Sequence, residues 1–369
     1  VLRGCAVAEE GQMPEGPLRI LIYNWKDLTH PAAGGAEVYT EGFARELAAR
    51  GHSVTLFVSA VEGQPADEVR GAIRYVRRGG RLGVYREARK FWKTEGDGQF
   101  DVVLDEVNTR PFLTPRYVRG TPVVALIHQL ARDVWQYEVP APVGLLGRYV
   151  MEPWWLRSYR SVPVLTDSPS SAQSFEAYGI RGAIPLPIGA APIDVPDVPK
   201  EARPTVVFLG RLVESKRPHH VVEGFRLIEA SVPGAQLWLI GDGPYREEIE
   251  KNAGPNVHVF GRVSSRDREE RLTRAHVLVT ASVREGWGLN VSEAAACGTP
   301  TIGYRAPGLI DSVPASGGHL VEPNPQALAR ALTDFFSGDL TITPTSSIVT
   351  WPAVADAVEE HLRRAISGR

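Results

Sequence analysis

From Leu18 onward the chain alternates short, continuous apolar runs with longer amphipathic stretches. Runs at 19–23, 53–58, 73–76, 101–105, 122–127 and 162–166 predict strands in the first half. The second half repeats the rhythm at 205–209, 236–240, 257–260, 277–280, 300–303 and 319–321. Unbroken Val/Ile/Leu runs joined by helices are the pattern of parallel strands covered on both faces. Between the halves, Pro185, Pro187, Pro192, Pro196, Pro199 and Pro204 forbid a helix and predict an extended linker. The pattern therefore predicts an α/β protein of two doubly wound domains divided near residue 200, with a ligand cleft between them.

The ends add two pieces. Val354, Val358, Leu362 and Ile366 repeat at helical spacing, with Arg363 and Arg364 at the end of the run, so a last helix is expected. Residues 1–17, with Gly4, Glu9, Glu10 and Gly11, lack the apolar core of a signal peptide and read as a disordered leader, Met13 being a candidate start.

At 369 residues the chain has room for two domains, each with a full core. A net charge of −2 gives no global pull toward nucleic acid or an anionic membrane, so no nucleic-acid partner is expected. Only Cys5 and Cys297 are present, which excludes a disulfide framework or a Cys-rich zinc site and fits a reducing compartment. No apolar run reaches the length of a membrane span. The expected location is cytoplasmic.

Ligands of open parallel sheets bind beyond the carboxyl ends of the strands. Gly34 and Gly35 follow the first strand and open a helix running to Arg50. Paired glycines there let the backbone approach a phosphate or sugar, although the spacing is not that of a dinucleotide fingerprint. His128 follows the 122–127 run, and Gly210-Arg211-Leu212 with Lys216 follows 205–209. Gly241-Asp242-Gly243-Pro244 and Gly261-Arg262-Val263 end the next two strands. The densest segment is Arg284-Glu285-Gly286-Trp287-Gly288-Leu289-Asn290-Val291-Ser292-Glu293. It places Glu285 on a strand-to-helix loop and Glu293 in the helix, with the amides of Gly286, Trp287, Gly288 and Leu289 between them. Two carboxylates and a helix N-terminus suit a sugar, a ribose and a diphosphate.

This segment resembles the Glu-x7-Glu signature of retaining glycosyltransferases of family 4, which have the GT-B fold. The resemblance covers nearly the whole chain from Leu18 to Ile366. It implies an acceptor-binding domain over 18–197, a donor-binding domain over 198–345, and a helix over 346–369 crossing back to the first domain. It implies catalytic roles for His128, Arg211, Lys216 and Glu285. It also implies donor binding by Gly34, Gly35, Gly241, Arg262, Val263, Gly286, Trp287, Gly288, Leu289 and Glu293. The co-substrate would be a nucleotide-diphosphate sugar, UDP- or GDP-linked, with no other cofactor and no metal; the partner would be a hydroxyl acceptor. No Asp-x-Asp occurs in the chain, which argues against the metal-dependent transferases of the other common fold. Where relatives often carry an Asn-Gly-Val-Asp type segment, this chain has Pro187-Ile188-Gly189-Ala190. The alternatives are a sugar-nucleotide epimerase and a catalytically silent protein that only binds the sugar nucleotide.

One further stretch concerns the acceptor. Arg70, Arg74, Arg77, Arg78, Arg81, Arg86, Arg89, Lys90 and Lys93 crowd one region in which Glu87 is the only acid. Tyr85, Ala88 and Trp92 recur at helical spacing within it. Such a helix could lie peripherally on anionic lipid headgroups. The alternatives are the buried face of a crossover helix and a patch for an anionic soluble acceptor.

Overall fold

The structure is a computed structural model describing residues 14–189, 193–252, 254–346 and 348–368. Among these residues the first sheet holds β1 (Arg19–Tyr23), β2 (Ser53–Val58), β3 (Asp67–Arg70), β4 (Ile73–Arg77), β5 (Val102–Val107), β6 (Val123–Ile127), β7 (Val164–Thr166) and β8 (Ile184–Pro185). Their order is β3-β4-β2-β1-β5-β6-β7-β8, and only the β3–β4 pair is antiparallel. The second sheet holds β9 (Thr205–Leu209), β10 (Gln236–Ile240), β11 (Val257–Gly261), β12 (Val277–Thr280), β13 (Thr301–Tyr304) and β14 (His319–Val321), ordered β11-β10-β9-β12-β13-β14. In each sheet the strand order reverses at its first strand: β1 lies between β2 and β5, β9 between β10 and β12. Ligands of such sheets bind at these switch points.

Helices of the first half are α1 (Gly35–Ala49), α2 (Val84–Phe91), α3 (Trp135–Glu138), α4 (Ala141–Leu146), α5 (Glu152–Leu156) and α6 (Pro169–Glu176). The second half has α7 (Pro218–Ile228), α8 (Arg246–Asn252), α9 (Ser265–Arg274), α10 (Leu289–Ala296), α11 (Leu309–Ala315), α12 (Pro325–Ser337) and α13 (Trp351–Ser367). Successive strand residues face opposite ways, so each sheet is buried twice. Ile20 and Ile22 pack with Phe43 and Leu47 of α1, whereas Leu21 and Tyr23 pack with Val84 and Ala88 of α2. Phe208 packs with Val221 and Phe225 of α7, whereas Val207 packs with Leu272 of α9 and Ala294 of α10.

The predicted strand positions coincide with strands, but β3 and β8 were not foreseen. The reason is local: Asp67-Glu68-Val69-Arg70 forms an edge hairpin with no apolar run, and β8 is two residues long. Residues 14–17 of the expected leader are placed, with Arg363 donating to the Gly16 carbonyl at 2.8 Å; residues 1–13 lie outside the described residues.

Helix α13 runs back onto the first sheet. Val354, Ala355, Val358 and Leu362 are fully buried in the same core as Ile20 and Phe43. Its first residue, Trp351, fits against two glycines: a Cβ on Gly42 or Gly189 would lie 2.6 or 2.7 Å from the indole ring. The segment that departs from the family pattern thus helps to seat this helix, while Ala190 lies outside the described residues.

The aromatic stripe of α2 faces inward. Ala88 and Trp92 are buried and Tyr85 stacks on Phe112 at 4.9 Å, so this helix offers no aromatic face to a bilayer. Four of the nine nearby cations find acids from elsewhere in the chain, while Arg81, Arg86, Arg89, Lys90 and Lys93 are exposed. Arg77 is buried against Asp27 at 2.7 Å and Glu68 at 2.8 Å, Arg74 and Arg78 pair with Asp67, and Arg70 pairs with Glu41. Tyr85, Ala88 and Trp92 are thus the inner face of a crossover helix. No described helix is long and apolar enough to cross a membrane.

Candidate functional site

A cavity of about 690 Å³ lies between the carboxyl ends of the two sheets. The first half contributes Gly34, Gly35, Asn108, His128, Gln129 and Asp167; the second contributes Gly210, Lys216, Ser282, Glu285, the run from Gly286 to Asn290, and Glu293. Two helix N-termini meet in it. A Cβ on Gly35, which opens α1, would lie 2.9 Å from Leu289 Cδ1, which opens α10. First-turn amides have no partner within their own helix, so the two ends together offer N–H groups and positive dipole ends to an anion.

Local chemistry holds these ends in place. Gly288 has φ +99°, a conformation that disfavours any side chain, and Trp287 Nε1 donates to Ser292 Oγ at 2.9 Å across the turn. On the other side the Gly34 amide donates to Glu37 at 2.6 Å, and Glu37 pairs with Lys26 at 3.2 Å. Anion-facing amides at that end therefore belong to Gly35 and Ala36.

The two signature carboxylates differ in surroundings. Glu285 accepts from Lys216 Nζ and from Ser282 Oγ, the latter at 2.6 Å. Lys216 ends a tight turn that is stitched to the Glu285 loop by the Val283 amide donating to the Ser215 carbonyl at 2.9 Å. Glu293 lies a turn into α10. Burial pushes its carboxyl above the usual range, and Arg268 at 3.4 Å pulls the other way.

His128 is buried between two acids. Its Nδ1 lies 2.9 Å from Asp167 and its Nε2 2.9 Å from Glu106, whose other oxygen accepts from Thr40 Oγ1 at 2.6 Å. Burial alone would lower the imidazole's pKa, but Asp167 and Glu106 outweigh it and hold His128 well above the ordinary value. Asp167, beside His128, lines the cavity and brings acceptor oxygens to it. The second half closes directly on this group: a Cβ on Gly286 would lie 2.5 Å from Asp167 Oδ2 and 3.0 Å from the His128 carbonyl.

Four expected site residues are not among those lining the cavity: Arg211, Gly241, Arg262 and Val263. Arg211 is exposed. Gly241, at φ +139°, packs against the Gly210 carbonyl, which a Cβ would approach to 1.9 Å. Arg262 reaches across to the Pro31 carbonyl at 3.4 Å, joining the two halves. Conversely, Asp167, Ser282, Arg268 and Asn290 line the cavity without having been singled out, and Glu106 supports His128 from behind. Asp167 was within reach, since it directly follows a predicted strand. Glu106 carried a signal too, since it and Asp105 are acids at the carboxyl end of a strand that is otherwise Val and Leu.

Comparison with known proteins agrees with this geometry. Residues 193–344 match the family of glycosyl transferases group 1, and residues 33–186 match glycosyltransferase family 4. A curated relative, the GDP-mannose-dependent alpha-(1-6)-phosphatidylinositol dimannoside mannosyltransferase of Mycobacterium tuberculosis, is 29% identical over 141 residues, 37% of this chain. The match spans only 37% of that relative's length. Sucrose-phosphate synthase from Thermosynechococcus elongatus superposes with a TM-score of 0.68 at 20% identity, covering 95% of this chain and 94% of that one. Anabaena HepE in complex with UDP-glucose superposes with a TM-score of 0.63 at 16% identity, covering 94% and 95%. At these identities the likeness establishes the fold, and the two family matches supply the rest: the chain belongs to glycosyltransferase family 4 and has the GT-B architecture.

Proposed function

We propose that this protein is a retaining glycosyltransferase that moves a sugar from a nucleoside-diphosphate sugar to a hydroxyl acceptor. The observation that carries the reading is the convergence of Lys216, Glu285, Glu293 and two helix N-termini on one cavity. The diphosphate is placed at the facing ends of α1 and α10, beside Lys216. Charge developing on it as the glycosidic bond breaks meets an ammonium and fixed amide dipoles, which need no reorganisation during the reaction. Arg211, from the same loop as Lys216, adds screened positive charge. Glu285 takes sugar hydroxyls, and Glu293 takes the ribose 2′- and 3′-hydroxyls.

Two bonds change. The anomeric carbon leaves the diphosphate oxygen and bonds the acceptor oxygen on the same face, and the acceptor's proton passes to the departing phosphate. No group of the protein forms a covalent intermediate, and the anomeric configuration is kept. In this reading protein cations and helix amides take the charge-offsetting role that a divalent ion fills in other transferases, and the donor is the only co-substrate. HepE, with UDP-glucose bound, and the GDP-mannose-dependent relative support a UDP- or GDP-linked donor, and that relative's phosphatidylinositol dimannoside supports a hydroxyl acceptor. The loop at Arg262 and Val263 is assigned to the base, and the cytoplasmic side of a membrane is the assigned location.

A thermal-shift panel of UDP-, GDP- and ADP-sugars tests the donor assignment. A ligand bound only by the folded state raises apparent stability by about 2.7 kcal/mol at a hundred times its Kd. One nucleotide class should raise the Tm, and the Glu293→Gln variant should show a smaller shift at the same ligand concentration. No shift with any of them would contradict the reading.

A further inference from the structure

Residues 141–156 form one continuous helical stretch: α4, a wider turn over Gly147–Met151, and α5. Its polarity is inverted. The inward side carries Gly144, Gly147, Glu152 and Trp155, all buried. The outward side carries Val143, Leu145, Leu146, Tyr149, Val150 and Trp154, each between 49% and 65% exposed. Glycines let the stretch lie tight on the body: a Cβ on Gly144 would sit 2.9 Å from the Trp135 carbonyl, and one on Gly147 2.6 Å from the Trp135 ring. Six large apolar side chains on one face of a rigid element mark an interaction surface rather than scattered exposed residues.

Charge identifies the partner. Glu152 is the only acid between residues 139 and 160, and it is turned inward, accepting the Ala131 and Arg132 amides at 2.7 and 2.9 Å. Of the cations, Arg157 is exposed, while Arg148 and Arg116 are half-buried beside the apolar face. Arg148 lies over the Tyr149 ring and Arg116 over the Trp154 ring at 3.9 Å. We propose that this face docks on an anionic lipid bilayer, with the apolar side chains entering the headgroup boundary and the arginines meeting lipid charge. A second copy of the chain fits less well, because self-association would set these arginines against each other while the one acid of residues 139–160, Glu152, is turned inward. The surface adjoins the cleft. Next in the chain before it, Tyr137 of α3 accepts from Arg217 at 3.2 Å, and Arg217 follows Lys216. A membrane-borne acceptor would then arrive beside the diphosphate site; this last step rests on the proposed transferase activity, whereas docking does not.

Sedimentation of the full 369-residue chain with vesicles decides it. Vesicles of phosphatidylcholine with about 30% phosphatidylglycerol are compared with phosphatidylcholine alone, at low and moderate salt. The protein should enrich at least tenfold on the anionic vesicles, less so as salt rises. The variant combining Leu145→Ser, Tyr149→Ser and Trp154→Ser should keep its Tm and lose that binding, and Arg148→Glu should reduce the anionic preference. Equal partition to both vesicles overturns the proposal. So does undiminished binding by the triple variant, or a wild-type dimer in light scattering that the triple variant abolishes. Because no sugar nucleotide is present, failure of the transferase reading would leave this result untouched.

Discussion

Lys216 and Glu285 come from loops after different strands and form an ion pair in the cavity, with Ser282 as a second donor to the same carboxylate. The pair keeps both charges in a half-buried place, where a diphosphate competes for the ammonium and a sugar hydroxyl for the carboxylate. Lys216→Ala removes charge stabilisation from the departing diphosphate and should cut turnover about a hundredfold or more. Arg211→Ala should cost only about tenfold, since Arg211 is exposed and its field is screened. Steady-state kinetics of the two variants checks the ranking.

His128 gives a pH signature. Its pKa is raised in the folded protein, so its contribution to stability is complete below about pH 6.5 and is lost as pH climbs through the folded value. His128→Gln leaves Glu106 and Asp167 without their cation and should destabilise by about 3–5 kcal/mol at pH 6. In urea unfolding the gap between wild type and variant should narrow toward alkaline pH. A gap that widens would show that the imidazole is neutral.

Glu293→Gln should weaken donor binding by about 1.5–3 kcal/mol, the loss of one charge-assisted hydrogen bond. A 2′-deoxyribose donor should bind wild type more weakly by a similar amount and show little further loss with the variant. Because burial raises the Glu293 carboxyl, affinity should begin to fall above the ordinary carboxylate range as pH is lowered. Calorimetric titration of both proteins measures all three effects.

Trp351 anchors the crossing helix between Gly42 and Gly189. Trp351→Ala should cost about 2–4 kcal/mol in denaturant unfolding, at the lower end because the indole is partly exposed. Gly42→Leu should act in the same direction by expelling the ring. If neither changes the midpoint, the helix is not held there.

Much of the molecule was legible in its residues. Strand positions followed from apolar runs because parallel strands are buried on both faces, and the helix ends at Gly35 and Leu289 followed from glycines at strand-to-helix turns. What stayed hidden depended on pairings between distant segments. The acids that meet Arg70, Arg74, Arg77 and Arg78 come from positions 27, 41, 67 and 68, so the first part of a run that looks basic in sequence is paired in space. The partners of His128 lie 22 and 39 residues away. The outward apolar face of 141–156 was hidden because sequence periodicity does not say which side of a helix meets the core.

Retaining sugar transfer in the cavity shared by Lys216, Glu285 and Glu293 is tested most directly by proton NMR of the anomeric position. The reaction would use the donor class found by thermal shift and a panel of hydroxyl acceptors. The expected result is release of the nucleoside diphosphate together with a product whose anomeric configuration is that of the donor, both abolished by Lys216→Ala. An inverted product, or a modified sugar still attached to its nucleotide, would contradict it.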